Sequence, residues 1–205
     1  MVEIDKVKHK LYNPQKTKTM RELGIIDISG VKDKILQLAE DVWDKNDEAK
    51  PNKFKEFHST KHIIFKFVKS FKDCRTHYEL PLWEDWKDII QPLLDEAVKP
   101  YAYTDGEFSR IMLAKLDPQS DINIHKDGNK AATFPHKIHI PIITNPDCIF
   151  FVNPTTYHFE EGKAYEVNNL AQHYVDNQGD TRRIHLIFEY YSPSLLEKAI
   201  HDSVA

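Results

Sequence analysis

Two hydrophobic rhythms divide this chain, and one gives way to the other near residue 107. Between Val31 and Asn46 the apolar positions Ile35, Leu38, Ala39, Val42 and Trp43 recur at helical spacing. Ser29 and Gly30 precede them as start signals, so the pattern predicts one amphipathic helix. A second helix is predicted over Leu82 to Val98, on Trp83, Trp86, Ile89, Ile90, Leu93 and Leu94. Pro92 lies inside it and predicts a kink or two short helices, since proline cannot donate to the helical ladder. The run His62 to Val68 is β-branched and aromatic and reads as a strand. Residues 1–30 are polar, with Pro14 and no clear local pattern, and 47–55 reads as a loop carrying a solvated run of lysines from Lys50 to Lys55.

From Glu107 onward short β-rich runs alternate with turn residues. The runs are Phe108–Leu116, Ile122–His125, Lys137–Ile143, Cys148–Val152, Tyr157–Glu160, Ala164–Val167, His173–Val175 and Arg183–Tyr191. Pairs such as Asp117-Pro118, Gly128-Asn129, Asn145-Pro146 and Glu161-Gly162 separate them. Short strands at this spacing predict a sandwich, barrel or double-sheet jelly roll. The expected fold is mainly β: a double-stranded β-helix (jelly-roll, cupin-like) with N-terminal helices packed on it. One domain over 1–205 is expected, with a helical and mixed part (1–106), a jelly-roll core (107–193) and a tail (194–205).

Alternation within two strands locates a polar face. Lys137 and His139 share one side of their strand, and Ile138, Ile140 and Ile142 the other. In the last strand Arg183, His185 and Ile187 oppose Ile184, Leu186 and Phe188. A polar cavity inside the roll, with helices packed outside, produces this pattern.

Charge and composition narrow the function classes. Net charge is −4 across 205 residues, with no long basic block, so nucleic acid is not an expected partner. No apolar run approaches the roughly 18 residues of a membrane span, and Met1 to Lys6 has no signal-peptide core. Two distant cysteines, Cys74 and Cys148, argue against a disulfide framework and for a reducing, cytoplasmic location, with Cys148 as a core thiol. A phosphate-binding glycine loop, a nucleophile elbow and a four-cysteine zinc pattern are absent.

The chemistry concentrates in a few residues. His125 and Asp127 are two apart, so on an extended strand both side chains point the same way while Lys126 points away. His173, from a distant strand, can close a third position. Two imidazoles and one carboxylate on one face of a metal are the ligand set of non-haem Fe(II) oxygenases, which leaves sites open for cosubstrate and O2. Arg183 then offers a planar fork for a carboxylate.

Residues 107–193 resemble the aspartyl/asparaginyl β-hydroxylase family of Fe(II)/2-oxoglutarate oxygenases, which includes cis-type proline hydroxylases. The resemblance rests on Arg110-Ile-Met-Leu-Ala-Lys-Leu, Ile124-His125-Lys-Asp127, His139-Ile-Pro-Ile with Thr144-Asn-Pro, Gly162-Lys-Ala-Tyr, Val167-Asn-Asn, His173 and Arg183-Ile-His-Leu-Ile-Phe. It implies Fe(II) held by His125, Asp127 and His173, and 2-oxoglutarate as cosubstrate with its far carboxylate on Arg183. It also implies that His139 lies near the cosubstrate. Many relatives carry Arg two positions before that His, where this chain has Lys137, so substrate identity does not carry over. Lys137, Arg110 and His158 are the candidate substrate anchors. His136 is read as structural or rim, His185 as cavity wall or packing, Asn168 as a turn residue, and His9, His58, His62, His77 and His201 as surface or loop residues.

The expected activity is hydroxylation of an unactivated C–H of an amino acid, a related small polar molecule or a peptide residue, using O2 and releasing succinate and CO2. Two alternatives stay open: a non-catalytic metal-containing binding module, and a cupin-like metalloenzyme without 2-oxoglutarate. Oligomeric state is not legible.

Overall fold

The computed structural model describes residues 11–51 and 59–204. The chain enters with strand β1 (Met20–Ile25), helices α1 (Ser29–Leu36) and α2 (Glu40–Ala49), strands β2 (Thr60–Ser70) and β3 (Asp73–Glu79), and helix α3 (Trp83–Val98). Then follow β4 (Glu107–Leu116), β5 (Ser120–His125), β6 (His136–Ile143), β7 (Cys148–Val152), β8 (Thr155–Tyr157), β9 (Lys163–Val167), β10 (His173–Asn177), β11 (Arg183–Tyr191) and helix α4 (Pro193–Val204).

The strands form two sheets, antiparallel throughout. A seven-stranded sheet runs β1-β9-β6-β11-β4-β2-β3, and a four-stranded sheet runs β5-β10-β7-β8. The fold is mainly β, a jelly roll with α1, α2 and α3 laid on one face of the large sheet, and the mainly β, jelly-roll class is the one the sequence predicts.

Alternation divides the large sheet between two environments. One face carries Phe65, Leu113, Ile140 and Leu186, all fully buried against Ile35, Trp43, Trp86 and Ile90 of the helices. The other face looks at the small sheet, where Leu116, Tyr165 and Val167 meet Phe150, Val152 and Val175. α4 covers a third apolar cluster through Leu196 and Ile200, packed with Ile64, Phe67 and Tyr191.

The helical part departs from the predicted one in two places. The single helix expected over Val31–Asn46 is two, broken at Gln37–Ala39. The break places Glu40, in the first turn of α2, against Lys61 and the buried Lys115 of the sheet. α3 runs unbroken through Pro92, with Ile90, Leu93 and Leu94 buried on either side of it. Among the strands and α-helices three have no counterpart in the predicted set: β1, β3 and α4, the last lying where a tail was expected, and β8 lies over Thr155–Tyr157, ahead of the run expected at Tyr157–Glu160. Most of the lysine run 50–55 lies outside the described residues, as do His9 and His58.

Ile140 lies at the centre of the helix-facing core with no exposed surface. Ile140→Ala is expected to lower unfolding free energy by about 2–5 kcal/mol, through lost burial and the cavity left behind. Urea denaturation checks this: the midpoint falls while the slope stays unchanged.

Candidate active site

The inner face of the large sheet forms the floor of a cavity and the small sheet its roof. Register sets the floor. Arg183 pairs across to Leu116; His185 to Ala114; Ile187 to Met112 and His139; Glu189 to Arg110 and Lys137. Directly paired residues on neighbouring strands share a face. Arg183 and Glu189 therefore stand on one side of β11, six residues or roughly 20 Å apart along the strand. The floor has two polar ends with apolar Ile187 and Met112 between them.

Over this floor stands the histidine–carboxylate cluster. His125, at the end of β5, and His173, at the start of β10, are register partners with ring centroids 4.2 Å apart. Asp127 follows His125 in the connecting loop, its N–H donating to the Asn169 carbonyl at 2.9 Å. Ligand atoms of His125, Asp127 and His173 all lie within 4.8 Å of one another, although Asp127 lies just past the end of β5 and not on the extended strand that the i, i+2 reading assumed. Both histidines use Nδ1 the same way. That of His125 lies 2.7 Å from the Asn123 carbonyl and that of His173 lies 3.0 Å from the Ala171 carbonyl. An Nδ1–H donated to a carbonyl leaves the lone pair on Nε2, the arrangement a metal-binding imidazole needs.

Asp127 is oriented as well. Its Oδ2 accepts from Lys137 Nζ at 2.6 Å and from Asn169 Nδ2 at 3.3 Å, while Oδ1 lies 3.9 Å from His125 Nε2. Asn169 is fixed in turn by Lys16, whose Nζ donates to its Oδ1 at 2.6 Å. Burial raises the Asp127 pKa, but the charge of Lys137 and its hydrogen bond outweigh it and hold the carboxyl well below its ordinary value. Burial lowers His173 to about 4, so its imidazole is neutral at physiological pH. A neutral His173 imidazole and an ionised carboxylate suit a divalent cation.

Arg183 occupies the far end of the floor, 1% exposed. Its Nη2 donates to His185 Nδ1 at 2.6 Å. Among the described residues its Nε and Nη1 have no hydrogen-bond partner. Burial lowers its pKa only to about 10, so it stays charged. His139 also lines the cavity, its ring 5.3 Å from that of Phe150 and its Nδ1 3.4 Å from that of His185.

The other predicted residues divide. Lys137 and Arg110 line the cavity, but both are engaged: Lys137 with Asp127, and Arg110 with Glu189. His158 does not line it; beyond the short strand β8 it is exposed, its Nδ1 3.2 Å from the Cys148 carbonyl. His136 is structural, buried against Glu166 at 2.6 Å on the side of β6 away from the cavity. His62 is a correction: it is 5% exposed, lines the cavity from β2, and has Nδ1 3.2 Å from Asp47. Asn168 serves its turn, donating to the Lys18 carbonyl. Sequence reasoning missed Glu189, Asn129, Asn169 and Lys16. Glu189 was within reach, since it continues the alternation Arg183, His185, Ile187.

A family model described as Aspartyl/Asparaginyl beta-hydroxylase matches residues 92–193. Over that segment the chain is similar to the aspartyl/asparaginyl beta-hydroxylase family. The family segment contains the three clustered ligands, Arg183, His139, Arg110 and Glu189, and leaves out β2, which adds Thr60 and His62 to the cavity. No curated protein matches the chain. Solved structures share the fold at low identity. EvdMO1 has a TM-score of 0.56 at 12% identity, over 85% of this chain and 47% of its own. A viral collagen prolyl hydroxylase from Paramecium Bursaria Chlorella virus-1, solved as a 2OG complex, has a TM-score of 0.51 at 11% identity, over 85% and 96%. A 2OG-Fe(II) oxygenase family oxidoreductase from Burkholderia pseudomallei has a TM-score of 0.49 at 12% identity, over 64% and 66%.

The buried imidazoles of this cavity make the protein's stability depend on pH. Burial holds His139 and His185 well below their ordinary value. Below about pH 6.5 the unfolded chain therefore binds more protons than the folded one, and stability falls as pH falls. Metal-free protein is expected to lose unfolding free energy between pH 7 and 5. His185→Asn keeps an acceptor for Arg183 and should make that slope shallower by up to about 1.4 kcal/mol per pH unit. Urea denaturation across that range measures it, and equal slopes would contradict the assignment.

Proposed function

We propose that the protein is an Fe(II)- and 2-oxoglutarate-dependent dioxygenase that hydroxylates an unactivated C–H bond of an amino acid, a related small polar molecule or a peptide residue. The observation that carries this reading is Arg183. A buried guanidinium with two nitrogens unpartnered among the described residues lines the same cavity as His125, Asp127 and His173. An uncompensated buried charge is strongly unfavourable, so a cavity that keeps one is built to receive an anion. A binding module or a cupin-like enzyme without the cosubstrate has no use for that fork.

The residues fit both groups. Two imidazoles and one carboxylate match the Fe(II) ligand set with open positions. The family match and the fold support a hydroxylase of this class. When bound, Fe(II) and 2-oxoglutarate supply the oxidising chemistry, in which O2 and 2-oxoglutarate are consumed, succinate and CO2 are released and a C–H becomes C–OH.

The chain's own residues bind, orient and exclude water. His125 and His173 present Nε2 because Nδ1 is held by a carbonyl two residues back. Lys137 and Asn169 hold Oδ2 of Asp127 and leave Oδ1 toward the imidazoles. Arg183, steadied by His185, pairs with the far carboxylate of 2-oxoglutarate through its unused nitrogens. Ile122, Phe150, Val175 and Ile187 wall the cavity with apolar surface, which strengthens those charge contacts.

Incubation with Fe(II), 2-oxoglutarate and air is expected to yield succinate. His125→Ala and Asp127→Ala should each abolish it. Arg183→Ala should keep metal binding and raise the 2-oxoglutarate concentration needed by on the order of 30- to 1,000-fold, the loss expected for one partner of a buried charge pair. Normal turnover in either ligand variant would remove the metal assignment, and an unchanged cosubstrate titration would take Arg183 out of its role.

A further inference from the structure

The end of the cavity opposite Arg183 holds a second charged group that the reaction as described does not use. Arg110 of β4 and Glu189 of β11 are register partners, both under 6% exposed, and both line the cavity. Arg110 Nη1 donates to both Glu189 oxygens, at 2.6 and 2.5 Å. Its Nη2 reaches Asn129 Oδ1 at 3.3 Å, and among the described residues its Nε has no hydrogen-bond partner. Glu189 takes one further contact, from Ser109 Oγ at 3.3 Å.

We propose that Arg110 and Glu189 read the two charges of a free α-amino acid, which makes Glu189 the residue that selects a substrate with an unblocked ammonium group. The proposal rests on the oxygenase reading above and narrows its substrate.

A buried ion pair is weak support for stability, because desolvation offsets most of its attraction. Against a cavity its members have another use. Arg110 has five N–H groups, of which Nη1 spends its two on Glu189 and Nη2 one on Asn129. The remainder are one carboxylate's worth of donors. Glu189 keeps lone pairs beyond those Arg110 and Ser109 use. The pair as a unit is neutral. A carboxylate alone would meet Arg110 but face the like charge of Glu189, and an amine alone would face Arg110. A ligand carrying both on one carbon completes an alternating set of four charges. The other cations near this end are committed, Lys137 to Asp127 and Lys16, whose charge also reaches Glu189, to Asn169 and the Pro135 carbonyl, so neither is a second carboxylate anchor. Phe67 and Met112 beside the pair give the ligand an apolar neighbour, so an aliphatic side chain is the expected body. A peptide residue, with its amine and carboxylate in amide bonds, leaves the pair unanswered.

The test is calorimetry on the anaerobic Fe(II) and 2-oxoglutarate-loaded protein. The probes are L-alanine, L-valine, L-leucine, L-isoleucine and L-proline, each with its N-acetyl and C-terminal amide derivatives. At least one free amino acid is expected to bind, with blocking of either end weakening it roughly ten- to a hundredfold. Glu189→Gln should erase the penalty for N-acetylation and keep that for amidation. Arg110→Gln should do the reverse. A merely structural pair would weaken all forms together. Should a single variant fail to fold, the double variant Arg110→Met with Glu189→Met keeps the wall filled and should bind none of the probes. Binding of blocked forms as tight as free ones, or the same preferences in Glu189→Gln, would overturn the proposal. So would an absence of binding by every probe while metal and 2-oxoglutarate still load. Loss of 2-oxoglutarate loading with zwitterion binding intact would instead overturn the oxygenase reading and leave the subsite standing.

Discussion

One buried cation without an acid beside it organises this molecule. Arg183 is fully enclosed, its closest polar neighbour is a neutral imidazole, and two of its nitrogens have no partner among the described residues. Such a group is tolerated only where an anion will meet it, because desolvating a charge is among the largest penalties in folding. The surrounding structure serves that condition. β11 lies between β6 and β4, so its even positions bury against the helices while its odd positions face the cavity. The apolar face anchors the strand that holds the charge in place.

The same alternation spaces the chemistry. Along the odd positions of β11 come Arg183, His185, Ile187 and Glu189: a cation with its support, an apolar step, then an acid bound to Arg110. Above them the paired starts and ends of β10 and β5 bring His173 against His125, and the next loop adds Asp127. Each of these three side chains is held by a second contact: two by backbone carbonyls, and the third by Lys137 and Asn169. Preorganisation of this kind is inexpensive on β-strands, whose side-chain directions are fixed by the ladder.

How much of this was legible follows from which signals are local. The His125–Asp127 spacing, the alternation in β6 and β11, and the late run of short strands depend on residues two apart, and all three appear in the structure. His62 read as a surface residue because its burial depends on β2 pairing with β4, fifty residues away. Arg110 and Lys137 read as open anchors because their partners, Glu189 and Asp127, are long-range contacts. Lys16 and Asn169 carry no local pattern, and only their meeting across the chain gives them a role. The break between α1 and α2 has no glycine or proline to mark it; Glu40 turning to Lys115 lies at that boundary.

The central claim is that the cavity holds Fe(II) and 2-oxoglutarate together. Absorption spectroscopy tests it most directly: the protein is loaded anaerobically with Fe(II) and titrated with 2-oxoglutarate. The account expects a metal-to-ligand charge-transfer band that grows to saturation at one equivalent of metal. Demonstrably bound iron with no band at any cosubstrate concentration would contradict it.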